Sequence, residues 1–131
     1  MKLVVDTSVL VAVLVSEPER ENLVELTRNA DLIAPGSVHW EIGNALAAMM
    51  KRKRIKLDQV NAVLKAYRQI PIRFREVDLQ STMEIAADHN LYACDAYIIA
   101  CARENRCAMI TLDRRLAQAA RIAHVSVVEV C

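Results

Sequence analysis

The chain has 131 residues, the length of one ordinary domain that can bury a core without metal or disulfide crosslinks. Its formal net charge of +1 gives no support for strong nonspecific binding of nucleic acid, so such a role would have to depend on local features. The hydrophobic fraction of 54% suggests a surface buried against a partner, yet no apolar run is long enough to span a bilayer.

Asp6 interrupts the N-terminal segment after only three apolar residues, which is too short for the hydrophobic region of a secretory signal, so a cytoplasmic location is expected. The four cysteines form no C-x-x-C pattern and are predicted to be reduced thiols: Cys94, Cys101, Cys107 and Cys131. Cys94 and Cys101 lie seven residues apart on a predicted helix, where buried small side chains are favoured over a zinc site.

Short β-branched or apolar segments alternate with longer segments of helical periodicity, a pattern that predicts an α/β fold with a mainly parallel sheet. The predicted elements in chain order are strand 3–6, helices 8–15 and 19–29, strand 32–34, helix 38–54, helix 58–70, strand 72–77, helix 78–89, helix 94–104, strand 108–111, helix 112–120 and strand 126–130. Ser37 is predicted to cap the third helix and Asp78 the fifth. Because no repeat or flexible linker divides the chain, residues 1–131 are predicted to form a single domain.

Two aspartates follow predicted strands, at the edge where open parallel sheets bind their ligands. Asp6 ends the first strand and is followed by two hydroxyl residues, Thr7 and Ser8. Asp113 follows Thr111 and Leu112 at the end of a later strand. Each aspartate has an ordinary alternative role as the N-cap of the next helix, which is the more common explanation for Asp6 taken alone.

Two further acids lie in the first turns of predicted helices. Asp95 shares a helix face with Ile99 and Ala102 and therefore opens a stripe that should face the core. Glu41 lies at the edge of an apolar stripe, with Asn44 following one turn later. Favourable interaction with the helix dipole is the alternative explanation for both acids.

These acids can all converge on one crevice at the carboxyl edge of the sheet. Carboxylates about 4 Å apart repel by roughly 4 kcal/mol per pair at an effective dielectric near 20, so the cluster needs protons or cations. An oxygen-only site favours Mg²⁺ or Mn²⁺, and a hard cation in an acidic cleft suits hydrolysis of phosphodiesters. The chain contains neither glycine-rich phosphate-binding motif, which argues against nucleoside-triphosphate or dinucleotide chemistry.

Four ordered segments together resemble the PIN-domain nucleases, and within them the VapC-type toxins of bacterial toxin-antitoxin pairs. The segments are Val4-Val5-Asp6-Thr7-Ser8, Glu41-Ile42-Gly43-Asn44, Asp95-Ala96-Tyr97-Ile98-Ile99-Ala100 and Thr111-Leu112-Asp113-Arg114-Arg115-Leu116. The resemblance covers nearly the whole chain. It implies a PIN-like three-layer α/β/α sandwich, a homodimer, endoribonuclease activity with Mg²⁺ or Mn²⁺, and inhibition by a small cognate antitoxin.

The same resemblance implies roles for individual residues. Its catalytic carboxylates correspond to Asp6, Glu41, Asp95 and Asp113, with Asp6 and Asp95 as the direct metal ligands. Its supporting hydrogen-bonding residues correspond to Ser8, Asn44 and Thr111.

The basic pair Arg114 and Arg115 lies directly beside a proposed ligand and is a candidate contact for RNA or for an acidic group of the antitoxin. Ordinary partial burial is the more common explanation for Trp40 and Tyr67, with a dimer or antitoxin surface as the alternative.

Two other functions remain open at this point. The first is a noncatalytic module whose acidic cleft receives a basic partner peptide. The second is a phosphotransfer domain, which also places acids around Mg²⁺ at strand ends. The second is disfavoured because Asp6-Thr7-Ser8 lacks the second aspartate of a D-x-D nucleophile motif.

Overall fold

Four short apolar segments pair as one parallel sheet in the computed structural model, which describes residues 1–130. The strands are β1 (Lys2–Val5), β2 (Asp31–Pro35), β3 (Ile72–Arg75) and β4 (Ala108–Ile110), in the order β3-β2-β1-β4. Leu3, Val4 and Val5 are at most 1% exposed because β1 is a central strand covered on both faces.

Helices connect the strands and cover the sheet. They are α1 (Thr7–Leu14), α2 (Arg20–Thr27), α3 (Ser37–Lys51), α4 (Leu57–Arg68), α5 (Leu79–His89), α6 (Ala93–Glu104) and α7 (Arg114–Ile122). Helix α6 packs on β1, β2 and β4, with α5 packed against α6, whereas α1 packs with α2, α3 and α4. The predicted three-layer α/β/α sandwich with a parallel sheet is therefore confirmed.

Helix α6 is the central helix of the core because its sequence is apolar on nearly every side. Ile98 and Ile99 are fully buried, and Ala96, Ala100 and Ala102 let the helix approach the sheet closely. Burial of each isoleucine side chain stabilises the fold by about 1.5–3 kcal/mol. This packing fixes the first turn of α6 at the carboxyl edge of the sheet.

The strand order reverses between β1 and β4. The chain proceeds from β1 to β2 to β3 in one direction and then returns to place β4 on the other side of β1. The amide of Asp6 donates to the carbonyl of Ile110 at 3.1 Å, so the carboxyl ends of the two strands lie side by side. A reversal of this kind opens the crevice in which α/β proteins bind ligands.

The predicted fifth strand over residues 126–130 is wrong, since only an isolated bridge between Met109 and Val127 forms there. The amide of Met109 donates to Ser126, and the carbonyl of Met109 accepts from Val128. Because β4 has only three residues and pairs with β1 on its other edge, Met109 alone can present both groups to this segment.

Two predicted helix boundaries also need correction. Gly36 rather than Ser37 occupies the N-cap of α3, and because the backbone at Gly36 is already helical, Ser37 becomes the first helical residue. The same helix ends at Lys51 rather than Arg54, because Lys53 adopts a left-handed conformation with φ of 59°. The predicted cap at Asp78 is confirmed, since its carboxylate accepts from the amide of Ser81.

The three described cysteines are free thiols, as predicted, and Cys131 lies outside the described residues. Cys101 is buried, but the prediction of a buried side chain at Cys94 is wrong. Cys94 lies in the first turn of α6, which projects beyond the core toward the carboxyl edge of the sheet. Across residues 1–130, no helix is both long and apolar enough to cross a membrane.

Candidate active site

Asp6 is the most buried carboxylate of the site, with 7% of its surface exposed at the end of β1. It occupies the N-cap position of α1, but its side chain makes no capping hydrogen bond. Instead, Oδ2 accepts hydrogen bonds from Ser8 Oγ at 2.8 Å and from Thr111 Oγ1 at 2.7 Å. The capping explanation for this carboxylate is therefore wrong, and the side chain is directed into the crevice between β1 and β4.

The same two hydroxyls connect the ends of the strands. Ser8 Oγ accepts from the amide of Leu112 at 3.0 Å, and Thr111 Oγ1 accepts from the amide of Asp113 at 3.0 Å. Each hydroxyl thus donates to Asp6 and accepts from the segment that follows β4. Among the predicted supporting residues, Asn44 differs: it is exposed, and its side chain makes no hydrogen bond within residues 1–130.

Replacing Ser8 with Ala is expected to weaken divalent-metal binding about 10- to 100-fold, the usual effect of losing a hydrogen bond that orients a ligand. It also leaves the amide of Leu112 without its partner, so the free energy of unfolding should fall by about 1–3 kcal/mol. Calorimetric metal titration and thermal unfolding would measure both effects. Ser126→Ala is the matched control, because Ser126 is exposed; equal effects at the two positions would contradict the assigned role.

Glu41 lies half-buried in the first part of α3, and its Oε2 atom is buried without a hydrogen-bond partner. Burial, followed by the negative charges of Asp6 and Asp95, raises the pKa of Glu41 to about 7. The hydroxyls of Ser37 and Thr7 lie close enough to lower this pKa partly, yet neither reaches hydrogen-bond geometry, and both oxygens are themselves buried without partners. The pocket around Glu41 therefore contains three buried oxygen atoms without a hydrogen-bond partner, namely one carboxylate oxygen and two hydroxyls.

Asp95 extends from the first turn of α6, on the face that carries the buried residues Ile99 and Ala102, as the sequence predicts. Its pKa is raised chiefly by burial and further by the negative charges of Asp113 and Asp6. Arg115 opposes this shift and lowers the pKa. Asp95 therefore lies within electrostatic reach of carboxylates that follow both β1 and β4.

Asp113 is exposed and caps α7, since its Oδ1 accepts from the amides of Arg115 at 2.9 Å and Leu116 at 3.2 Å. The capping alternative is therefore correct for this oxygen. Within residues 1–130 no hydrogen bond reaches the second oxygen, Oδ2. Asp113 can thus cap its helix and still present one oxygen to the carboxylate cluster.

Arg114 and Arg115 are exposed, and neither forms an ion pair within residues 1–130. The positive charge of Arg115 acts on Asp95 at longer range and lowers the pKa of that carboxyl group. Arg114 borders a cavity of about 540 Å³ that also includes Thr111 and Asp113. Both guanidinium groups are available to a partner at the rim of the carboxylate site.

The donor set fits a hard divalent cation. The acidic side chains of the cluster offer carboxylate oxygens, and the unpaired Oε2 of Glu41 is a buried acceptor of the kind that a cation or its water ligands would satisfy. No three His, Cys, Asp or Glu side chains of the described chain already converge on one point as a complete cage. Mg²⁺ does not require such a cage, because one or two carboxylates and several waters commonly complete its coordination.

Sequence reasoning missed Ser37 and Thr7 as members of the Glu41 pocket. Ser37 precedes Glu41 by four residues and so shares its helix face, a spacing that could have identified it. Its suitability as an N-cap instead directed the interpretation toward the backbone. Thr7 carried no comparable signal beyond its position next to Asp6.

The sequence of this chain matches a known family and a named relative. The family model of the PIN domain matches residues 3–122 of this chain. The chain is 32% identical over 116 residues to "Ribonuclease VapC9" of Mycobacterium tuberculosis, a match that covers 87% of each protein.

Two solved structures share the fold at low sequence identity. The crystal structure of PAE2754 from Pyrobaculum aerophilum has a TM-score of 0.73 and 19% identity, and the match covers 97% of this chain and 83% of that one. VapBC2 from Rickettsia felis, solved bound to a DNA fragment from their promoter, has a TM-score of 0.68 and 16% identity, with 98% of both chains covered. At these identities the likeness concerns the fold alone.

Proposed function

This chain belongs to the PIN-domain family, and we propose that it is a divalent-metal-dependent endoribonuclease acting as the toxin of a toxin-antitoxin pair. The observation that carries the proposal is the carboxylate site itself. In it the negative charges of Asp6 and Asp95 raise the pKa of Glu41, and Asp6 raises that of Asp95. The Oε2 atom of Glu41 is buried there without a hydrogen-bond partner. A relative named as a ribonuclease, at 32% identity over most of both chains, supports RNA as the substrate.

Within this proposal, Asp6 and Asp95 hold the metal ion. Ser8 and Thr111 fix the carboxylate of Asp6 through the two hydrogen bonds to Oδ2, so the ligand is oriented before a cation arrives. When bound, Mg²⁺ or Mn²⁺ supplies Lewis-acid stabilisation of negative charge on the phosphoryl and leaving oxygens.

The remaining polar groups act on the water and the substrate. Glu41 offers the unpaired Oε2 as an acceptor for a proton of the attacking water. Arg115, the cation that acts on Asp95, is placed to bind a phosphate oxygen of the RNA. Asp113 adds a negative charge beside Asp95 through its uncapped oxygen.

The proposed partners are a cognate antitoxin, which covers this acidic edge, and a second copy of the chain. Exposed apolar side chains on α5, Leu79 at 59% and Met83 at 42%, are suited to such a protein interface. An antitoxin acid that meets Arg114 would block the rim of the site by charge pairing.

The test is RNA cleavage by protein purified free of any inhibitor. A labelled single-stranded RNA should be cut internally with Mg²⁺ or Mn²⁺ and remain intact with EDTA. If neither metal supports cleavage, the proposal fails, and the acidic cleft is better explained as a receptor for a basic peptide.

A further inference from the structure

A second cavity, of about 550 Å³, opens beside the carboxylate site. Its walls include Ser37 and Trp40 from α3, Phe74 and Arg75 from β3, and Tyr97 from α6, and we refer to it as the Trp40 cavity. Ser37 is the residue whose hydroxyl also faces Glu41. The Trp40 cavity and the carboxylate site therefore share a wall, and a polymer that occupies one can reach the other.

The aromatic rings of Trp40 and Phe74 both contact the ring of His39. His39 contacts Trp40 edge-to-face at 4.9 Å and Phe74 edge-to-face at 5.8 Å, measured between ring centroids. Nδ1 of His39 is 3.1 Å from the hydroxyl of Tyr67, which is buried with 7% of its surface exposed. The prediction of partial burial is therefore wrong for Trp40, which is 73% exposed although its ring is supported.

The cavity exposes two aromatic residue types that each occur once in the chain. The chain has a single tryptophan and a single phenylalanine, and both lie in this cavity with 73% and 43% of their surfaces exposed. A fixed, exposed aromatic surface next to an active site indicates a contact with a ligand rather than a contribution to the core.

Arg75 supplies a cation to the cavity wall, which also includes Glu76. Nε of Arg75 donates to Oδ1 of Asn105 at 3.3 Å, and within residues 1–130 its other N–H groups make no hydrogen bond or ion pair. Exposed rings beside a cation are the combination by which proteins hold single-stranded nucleic acid, because bases stack on the rings and phosphates pair with the positive charge.

We infer that the Trp40 cavity binds an unpaired nucleobase of the RNA next to the cleaved phosphate, with the base stacked on Trp40 and a phosphate on Arg75. The inference rests on the proposed function, since it assigns the substrate contact adjacent to the same carboxylates. The volume of about 550 Å³ is within the range of small-ligand sites. Stacking is tolerant of base identity, so Trp40 selects unpaired RNA rather than a sequence.

Trp40→Ala tests the inference through cleavage kinetics. Loss of one base-stacking contact should raise KM about 5- to 140-fold and leave kcat nearly unchanged. Trp40→Phe, which retains an aromatic face, should recover most of the loss, and it serves if the alanine variant folds poorly. Leu57→Ala is the matched control, because Leu57 is 63% exposed on α4 and does not border the cavity.

The fluorescence of Trp40 gives a readout that does not depend on turnover, since no other tryptophan is present. Asp95→Asn protein in Mg²⁺ is titrated with a single-stranded trinucleotide and with the same trinucleotide lacking its bases. Stacking predicts strong quenching by the first and little by the second. Equal quenching by both, or none by either, would overturn the inference.

Two further outcomes separate this inference from its alternatives. If Trp40→Ala leaves KM unchanged but alters the sedimentation coefficient or the binding of an inhibitor protein, the surface is a protein interface and the inference is wrong. If the parent protein cleaves RNA but Trp40→Ala has the same KM as the Leu57→Ala control, the inference fails while the proposed function stands. Absence of cleavage by the parent would instead contradict the proposed function, and the quenching titration would still decide whether a base binds here.

Discussion

Replacing Asp95 with Asn is expected to lower kcat/KM for RNA cleavage about 10²- to 10³-fold, the range seen when a group that stabilises charge at the reacting centre is removed. Asparagine keeps the shape of the side chain and one oxygen but removes the charge that a divalent ion requires. The effect should appear mainly in kcat, and in a higher metal concentration for half-maximal activity. Steady-state kinetics over a series of Mn²⁺ concentrations would measure both quantities.

Asp58→Asn is the matched control for this prediction. Asp58 lies in the first turn of α4, as Asp95 lies in the first turn of α6, so both substitutions remove the same favourable interaction with a helix dipole. The metal-free Asp95→Asn protein should be at least as stable as Asp58→Asn, because burial and neighbouring carboxylates raise the pKa of Asp95. Comparable activity in both would show that Asp95 serves only its helix and would remove it from the site.

Glu41→Gln is expected to stabilise the metal-free protein at about pH 8 and to lower RNA cleavage in the presence of Mg²⁺ or Mn²⁺ at least about 10²-fold. The pKa of Glu41 rises from 4.5 to about 7 in the folded chain, so between these values the folded state binds more protons than the unfolded state. The free energy of unfolding of the parent therefore falls as pH rises through this window. The full shift corresponds to about 3 kcal/mol, and solvent screening of a half-buried group reduces the expected effect to about 1–2 kcal/mol.

The stabilisation by Glu41→Gln is expected to depend on pH. Glutamine carries no charge at any pH, so the stabilisation should be present above pH 7 and absent below pH 4.5, with a difference in Tm of about 3–8 °C at the alkaline end. Thermal unfolding in EDTA across this range would measure it, with the exposed first-turn residue Glu21→Gln as the control. A destabilised Glu41→Gln protein at pH 8 would show that the carboxylate is not held in an unfavourable pocket.

Much of the fold follows from local pattern. The run from Ala96 to Ala102 reads as a buried helix, and the placement of Asp95 at the head of its core-facing stripe is confirmed. Asp6 and Asp113 follow strands in the sequence, and the strand order then brings them to one edge. Segment 126–130 could not be predicted correctly, because its β-branched composition favours a strand whether or not the neighbouring edge has free groups.

The site depends on contacts that local pattern does not contain. Asp6 and Thr111 are 105 residues apart, so the hydrogen bond that distinguishes a held ligand from an N-cap follows only from the pairing of β1 with β4. Asn44 shows the opposite case, because a family correspondence assigned it a supporting role and its side chain is exposed without a hydrogen bond in the described part of the chain. Its predicted role stays a prediction.

The aromatic cavity was also beyond sequence reasoning. His39 and Trp40 lie on α3, Tyr67 lies in the last turn of α4, and Phe74 lies on β3, so only the packing of three elements brings their rings together. An exposed tryptophan is indistinguishable in sequence from a partly buried one, since both fit the helical pattern equally well.

Calorimetric titration of Mn²⁺ into the parent protein and into Asp6→Asn measures whether the carboxylate at the end of β1 holds the metal ion, with the exposed residue Asp88→Asn as the control. We expect saturable binding by the parent and by Asp88→Asn, and loss of that binding in Asp6→Asn. Equal binding by all three proteins, or saturable binding by none, would contradict a metal site built on Asp6 at the junction of β1 and β4.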